Sequence, residues 1–411
     1  MLPQTWRLLV ALADWRHVLR SLRGAPRVDV VCISNLRDDV DKMRYRGRYD
    51  YPQGHFSGAK YWLDGIAAQT RGIDTTSDEL LTAHGRRKAR EQFISATEWA
   101  VKQGAKVILL AAATKRLFGH EGTELKRMFP NVLFTIGDNG TVLLLLHEMQ
   151  RTMEMWLKKS SKIAILGPYG FLGEHVTRYL SAKGYMVVGA GPNVAGLRRI
   201  QANYGVSVCR TFQEMGKVDA IVACTHSKNI RLDAQLANSV RRHGKRLLVL
   251  DVAEPPNLTN AEYNNCKNIV VRQDAGNAYS PKLKYVLGAF SYKMFRLSRG
   301  VTFGCFAEAI SLAAALKNGE NLKGIDWFEV TEANMRIVDR LFKNCSFRVP
   351  SPRCFGIPVK DFNLNMAEQT YPEIAPFTSC HEVQWDINGF PRLHASSVGH
   401  MTSVRTRTAE Q

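Results

Sequence analysis

The stretch that most constrains this chain is Lys162-Ile163-Ala164-Ile165-Leu166-Gly167-Pro168-Tyr169-Gly170-Phe171-Leu172-Gly173. An apolar run stops at Gly167 and glycines recur at 170 and 173, which reads as a strand, a tight turn and the start of a helix. Gly167 suits a sharp turn, Gly170 a close approach of backbone to a pyrophosphate, and Gly173 close packing of helix on strand. Phe171 and Leu172 open the helix, where free N–H groups and the helix dipole favour an anion. The spacing is G-x-x-G-x-x-G, so its weight comes from the residues after it. Phe171 to Lys183 keeps a helical period, Gly184 suits the helix end, and Tyr185 to Ala190 is a second apolar strand.

Further strands are expected at 206–209, 219–224, 246–251 and 268–272, with a helix over 231–243 between. This is the order of a doubly wound, Rossmann-like parallel sheet in an α/β protein. Ligands of such sheets lie beyond the carboxyl ends of the strands. Cys224-Thr225-His226-Ser227, Asp251 to Glu254 and Gln273 to Gly276 are therefore expected to border the cleft, with Thr225 and Asp251 counted among the cofactor contacts. No acid that would bind a ribose 2′-hydroxyl ends the second strand. Gly189 to Asn193 is followed instead by Arg198 and Arg199, which suits a 2′-phosphate, so the expected cofactor is NADPH.

Ahead of this domain, residues 5–23 place leucines, Val18, Trp6 and Trp15 among four arginines, a basic amphipathic helix able to rest on a membrane surface, to cap the fold or to act as an organellar transit peptide. Val28 to Ser34 is a strand, the stretch to about 75 lacks a clear period and reads as loop with short elements, and Ser77 is expected to cap a helix through Gln103. Strands at 106–113 and 131–136 flank a short helix over 123–128, and Gly137 to Gly140 cap a connector helix. The expected organisation is a basic segment 1–27, an α/β substrate domain 28–140, a connector 141–160, an NADP-binding domain 161–300, helices 301–345 returning to the cleft, and an extension 346–411, partly disordered.

The 411 residues carry a net charge of +19, which implies an anionic partner. The excess is dispersed and no nucleic-acid motif is present, which points away from nucleic acid. Eight cysteines scattered through the length read as reduced thiols in a cytoplasmic protein, and no apolar stretch is long enough for a bilayer span.

Of the cysteines, Cys305 stands out because Thr302-Phe303-Gly304-Cys305-Phe306-Ala307-Glu308-Ala309 sets it in the first turn of a helix, where a thiolate is favoured. The competing reading is a small buried hydrophobe. No metal-ligand spacing and no Gly-x-Ser-x-Gly elbow occur, so neither a metal site nor a serine hydrolase is expected. The Tyr-x-x-x-Lys strings at 179–183 and 263–267 read as coincidence, given their placement.

On three segments the chain resembles the cyanobacterial long-chain acyl-(acyl carrier protein) reductases: Phe134 to Thr141, the glycine turn, and Gly304 to Ala309. Gly324-Ile325-Asp326 and Val330 to Met335 are similar to that family's closing helix. The resemblance implies that Cys305 is the acylated nucleophile, that Gly167, Gly170 and Gly173 bind NADPH, and that an acyl carrier protein or coenzyme A thioester is the partner. Ala111-Ala112-Ala113-Thr114-Lys115 departs from that family's glycine- and serine-containing stretch. Two other classes stay open: an NADP-dependent dehydrogenase of a small hydroxy or keto acid, with Lys60, Lys115 or Asp138 at the cleft, and a non-catalytic NADP-binding regulator.

Overall fold

In the computed structural model of the protein, residues 3–119, 121–225 and 227–359 are described. Five strands precede the connector: β1 (Val30–Leu36), β2 (His55–Leu63), β3 (Ile66–Thr76), β4 (Val107–Ala111) and β5 (Leu133–Thr135). Six follow it: β6 (Lys162–Leu166), β7 (Met186–Ala190), β8 (Ser207–Cys209), β9 (Ala220–Ala223), β10 (Leu247–Asp251) and β11 (Val270–Asp274). Those six form one parallel sheet in the order β11-β10-β9-β6-β7-β8, the doubly wound arrangement expected. The inner stretches of its central strands are apolar because helices cover both faces. Ala164, Leu166, Ile221 and Val249 pack on one side, and Ile163, Ile165, Val222 and Leu250 on the other.

After β11 come β12 (Asn277–Tyr279), β13 (Lys284–Tyr285) and β14 (Val301–Phe303), and a small hairpin of β15 (Arg353–Cys354) and β16 (Ile357–Pro358). The first sheet runs β13-β2-β3-β1-β4-β5, so its outer strand comes from far downstream, within the 161–300 range expected to be cofactor domain. The connector helix, Asp138–Trp156, joins the two sheets.

The stretch to residue 75 has the expected short elements only as far as 54, helical over 39–46; from His55 it is instead the β2–β3 hairpin. All eleven residues of β3 are buried, since β1 and β2 flank it and both faces are covered, so no alternation marks it. Its polar residues are paired inside: the Arg71 guanidinium donates to His55 Nδ1 at 2.8 Å and lies 3.6 Å from the Trp99 ring centroid. The signal for the hairpin is Asp64-Gly65, both with positive φ (44° and 83°), between Leu63 and Ile66. The following helix also differs from expectation. It spans Ala83–Lys102, and its cap is Thr82, whose hydroxyl accepts from the Gly85 N–H at 2.9 Å, an arrangement worth about 1 kcal/mol. Ser77 serves elsewhere, its N–H bonded to the Leu36 carbonyl at 2.9 Å.

Part of the expected extension is ordered on the cofactor half: the Gly356 N–H donates to Asp274 at 2.9 Å, and Arg348 pairs with Tyr279 through the backbone. The remainder of that extension, 360–411, lies outside the described residues. Among the described residues no helix is long and apolar enough to cross a membrane.

Candidate active site

The turn after β6 has the geometry a phosphate cradle needs. Gly167 adopts φ +77°, and its carbonyl accepts from the Gly170 N–H at 3.1 Å. A Cβ on Gly173 would lie 2.1 Å from the Gly167 carbonyl oxygen, so only glycine lets the helix sit this close to the strand. A Cβ on Gly170 would meet only that same oxygen, at 3.3 Å, leaving its other side open. The helix Phe171–Ala182 has no side chain capping its N-terminus, so the N–H groups of Phe171, Leu172 and Gly173 are not taken by a cap. Thr225, after β9, abuts the turn: a Cβ on Gly167 would stand 2.7 Å from the Thr225 Cβ. These residues fit a dinucleotide pyrophosphate.

At the end of β7 no carboxylate is present. Tyr169 takes that place: its ring covers Gly191 and Gly196, where an added Cβ would come within 2.6 Å and 2.7 Å of it, and its hydroxyl accepts from the Asn193 N–H at 3.2 Å. Of the arginine pair, Arg198 is exposed on the helix Val194–Tyr204. Arg199 is committed elsewhere, forked onto Glu174 at 2.6 and 2.7 Å, because Glu174 faces it from the preceding helix. Asp251 is likewise committed. Fully buried, it accepts from Arg272 at 3.1 Å and from the N–H groups of Ala253, Asn257 and Leu258, and so holds the loop after β10 instead of facing a cofactor. His226 lies outside the described residues.

The two halves meet at Cys305, in the first turn of the helix Gly304–Lys317. A Cβ on Gly137, the N-cap of the connector, would fall 2.3 Å from the Cys305 Cβ, and the Gly304 N–H donates to the Gly276 carbonyl at 3.0 Å. Two buried carboxylates clamp these glycine segments. Glu308 accepts from the Thr135 hydroxyl at 2.5 Å and the Gly140 N–H at 2.6 Å; Glu148 accepts from Gln273 Nε2 at 2.6 Å and the Gly276 N–H at 2.9 Å. Burial pushes both up to about 7. Sequence reasoning passed over both, although Glu308 stands three residues from Cys305 and so on the same side of its helix.

Lys115, just after β4, is ion-paired with Asp138, the first residue of the connector. Burial works against its charge, but Asp138 and the neighbouring Cys305 hold it protonated. For Cys305 burial dominates and raises the thiol to about 11, while the Lys115 ammonium and the Phe306 N–H pull the other way. Lys60 is not in this cleft. Its neighbour Tyr61 turns toward Phe306, their rings stacked at 6.3 Å, whereas Lys60 turns to the other face and pairs with Asp14 at 2.9 Å. A doubly wound parallel sheet with a glycine turn after β6, joined through the connector helix to a second sheet, is the architecture of a two-domain NAD(P)-dependent oxidoreductase.

Comparison with known proteins agrees with that class. Residues 162–255, less than a quarter of the chain, match the family described as NADP oxidoreductase, coenzyme F420-dependent. The chain thus carries an NADP-binding, oxidoreductase-type domain, and NADPH is the consistent cofactor. Among solved structures, L-tryptophan dehydrogenase from Nostoc punctiforme is 11% identical over 78% of this chain and 89% of its own, with a TM-score of 0.33. A shikimate 5-dehydrogenase-like protein is 12% identical over 70% and 98%, with a TM-score of 0.30. The nucleotide-binding domain of glutamyl-tRNA reductase from Thermoplasma volcanium is 21% identical over 32% and 84%, with a TM-score of 0.24. Likeness this distant says nothing of substrate. No curated protein matches the chain.

Proposed function

We propose that this protein reduces a long-chain acyl thioester, carried by an acyl carrier protein or coenzyme A, to the aldehyde through an acyl-enzyme on Cys305. The observation that carries this reading is the setting of Cys305: first turn of a helix, beside the connector's Gly137, with the Lys115 ammonium opposing the burial that raises its thiol. The Cys305 sulfur attacks the thioester carbonyl, its bond to the acyl carbon forms as the carrier sulfur's bond breaks, and the thiol proton leaves with the carrier. The helix Gly304–Lys317 has no side chain capping its N-terminus, and its first-turn N–H groups beyond Gly304 would serve as donors to a developing oxyanion. NADPH, which Gly167, Gly170 and Gly173 would hold, would supply the hydride that reduces the acyl carbon. Release of the aldehyde returns Cys305 as a thiolate, with the Lys115 charge beside it.

The test is intact-mass analysis after incubation with long-chain acyl-coenzyme A or the acyl carrier protein thioester, without NADPH. An adduct of acyl mass that is absent from Cys305→Ala supports the reading; no adduct with either carrier overturns it. A second reading has one observation of its own, the Lys115–Asp138 ion pair, which suits proton transfer to and from a small hydroxy or keto acid. Under that reading Cys305→Ala keeps full turnover and Lys115→Ala loses it.

A further inference from the structure

The two N-terminal helices, Pro3–Ala13 and Trp15–Leu22, are built the wrong way round for a helix that only covers a core. Their inner attachments are largely polar. Arg7 donates to the carbonyls of Tyr45 and Arg46, Arg20 is forked onto Asp29 at 2.9 Å, and Asp14 pairs with Lys60 at 2.9 Å; Trp6 and Val10 are the buried apolar anchors. The second helix buries no residue at all. Outward, Leu8, Leu12, Trp15, Val18, Leu19 and Leu22 are 40% to 79% exposed. A soluble surface helix places these two faces the other way about.

We propose that this face seats the protein on an anionic lipid surface. Leu8, Leu12, Trp15, Leu19 and Leu22 follow one another at alternating spacings of four and three, so each helix presents its share on one side. The charges beside them are of one sign. Arg16 lies 5.3 Å from the Trp15 ring centroid, Arg23 and Arg27 are exposed, and Asp14, the single acid between Pro3 and Val28, is buried against Lys60. An apolar stripe with tryptophan and arginine at its margin suits the boundary between acyl chains and headgroups, and the arginines select anionic headgroups. A second copy suits the face less well. The helices are eleven and eight residues long, broken at Asp14, shorter than a coiled-coil seam needs, and pairing would bring like charges together. The surface is independent of the chemistry proposed for Cys305.

The experiment is flotation of the full chain with vesicles of phosphatidylcholine alone and with vesicles in which a third of the lipid is phosphatidylserine. Wild type is expected to float with the mixed vesicles and roughly tenfold less with the neutral ones. A Leu12→Glu, Leu22→Glu variant that keeps the wild-type circular dichroism and NADPH affinity is expected to lose flotation. Equal flotation of variant and wild type, or no flotation with either vesicle, overturns the proposal. So does a concentration-dependent dimer that the variant abolishes while wild type ignores lipid.

Discussion

At Cys305 two effects oppose each other, and the balance is measurable. Burial raises the thiol to about 11, while the Lys115 charge lowers it. In Lys115→Met the burial remains and the charge is gone. The pH at which Cys305 is half-alkylated by iodoacetamide, read by peptide mass, is expected to move further up; an unchanged midpoint would separate Lys115 from the thiol. Glu308 gives a second pH-dependent effect. Its carboxyl stands at about 7 against an ordinary 4.5, so the folded state holds the proton more tightly than the unfolded chain does. The stability this contributes is fully present below about 4.5 and is lost as pH rises through 7. Glu148 behaves alike, with the same displacement. In Glu308→Gln the loss of denaturant stability between those two pH values is expected to shrink by about half, provided the amide keeps the Gly140 contact.

The glycine turn separates folding from binding at the scale of one element. Gly173→Ala drives a methyl into the Gly167 carbonyl, and a cost of about 1–3 kcal/mol is expected in chemical denaturation. Gly170 has φ −75° and one contact at 3.3 Å, so Gly170→Ala is expected to fold normally and to lose NADPH affinity in a fluorescence titration. Equal stability losses in the two variants would contradict that division. This turn and the Cys305 helix were legible in the sequence because local rules set both: a strand ending on glycine, and a glycine before an apolar helix. The β2–β3 hairpin was not, because Gln69, Thr70, Arg71 and Asp74 are buried by partners remote in sequence and mask the strand's period. Arg199 and Asp251 misled for a related reason. Their sequence positions suit a cofactor, but Glu174 and Arg272 face them from neighbouring elements, which no local pattern announces.

Over the whole molecule the two halves are tied at several places. Arg37, after β1, reaches Glu254, after β10, at 2.5 Å, and both Arg44 and Tyr45 donate to the Met294 carbonyl at 2.9 Å. Helix Gly304–Lys317 packs on both the connector and the first sheet. The most consequential tie is β13, whose Lys284 and Tyr285 close the edge of a sheet whose other strands all lie before residue 136. During synthesis that edge stays bare while the six strands of the cofactor sheet are made, with the backbone of Tyr61 and Trp62 waiting for its neighbour. Nascent chains stalled shortly after residue 136 has left the ribosome are therefore expected to remain protease-sensitive in the β2–β3 region, and resistance should arrive only once the chain through the Gly304–Lys317 helix has emerged. The first sheet, begun at residue 30, is thus closed only by residues 284–285, more than 140 positions after its last preceding strand.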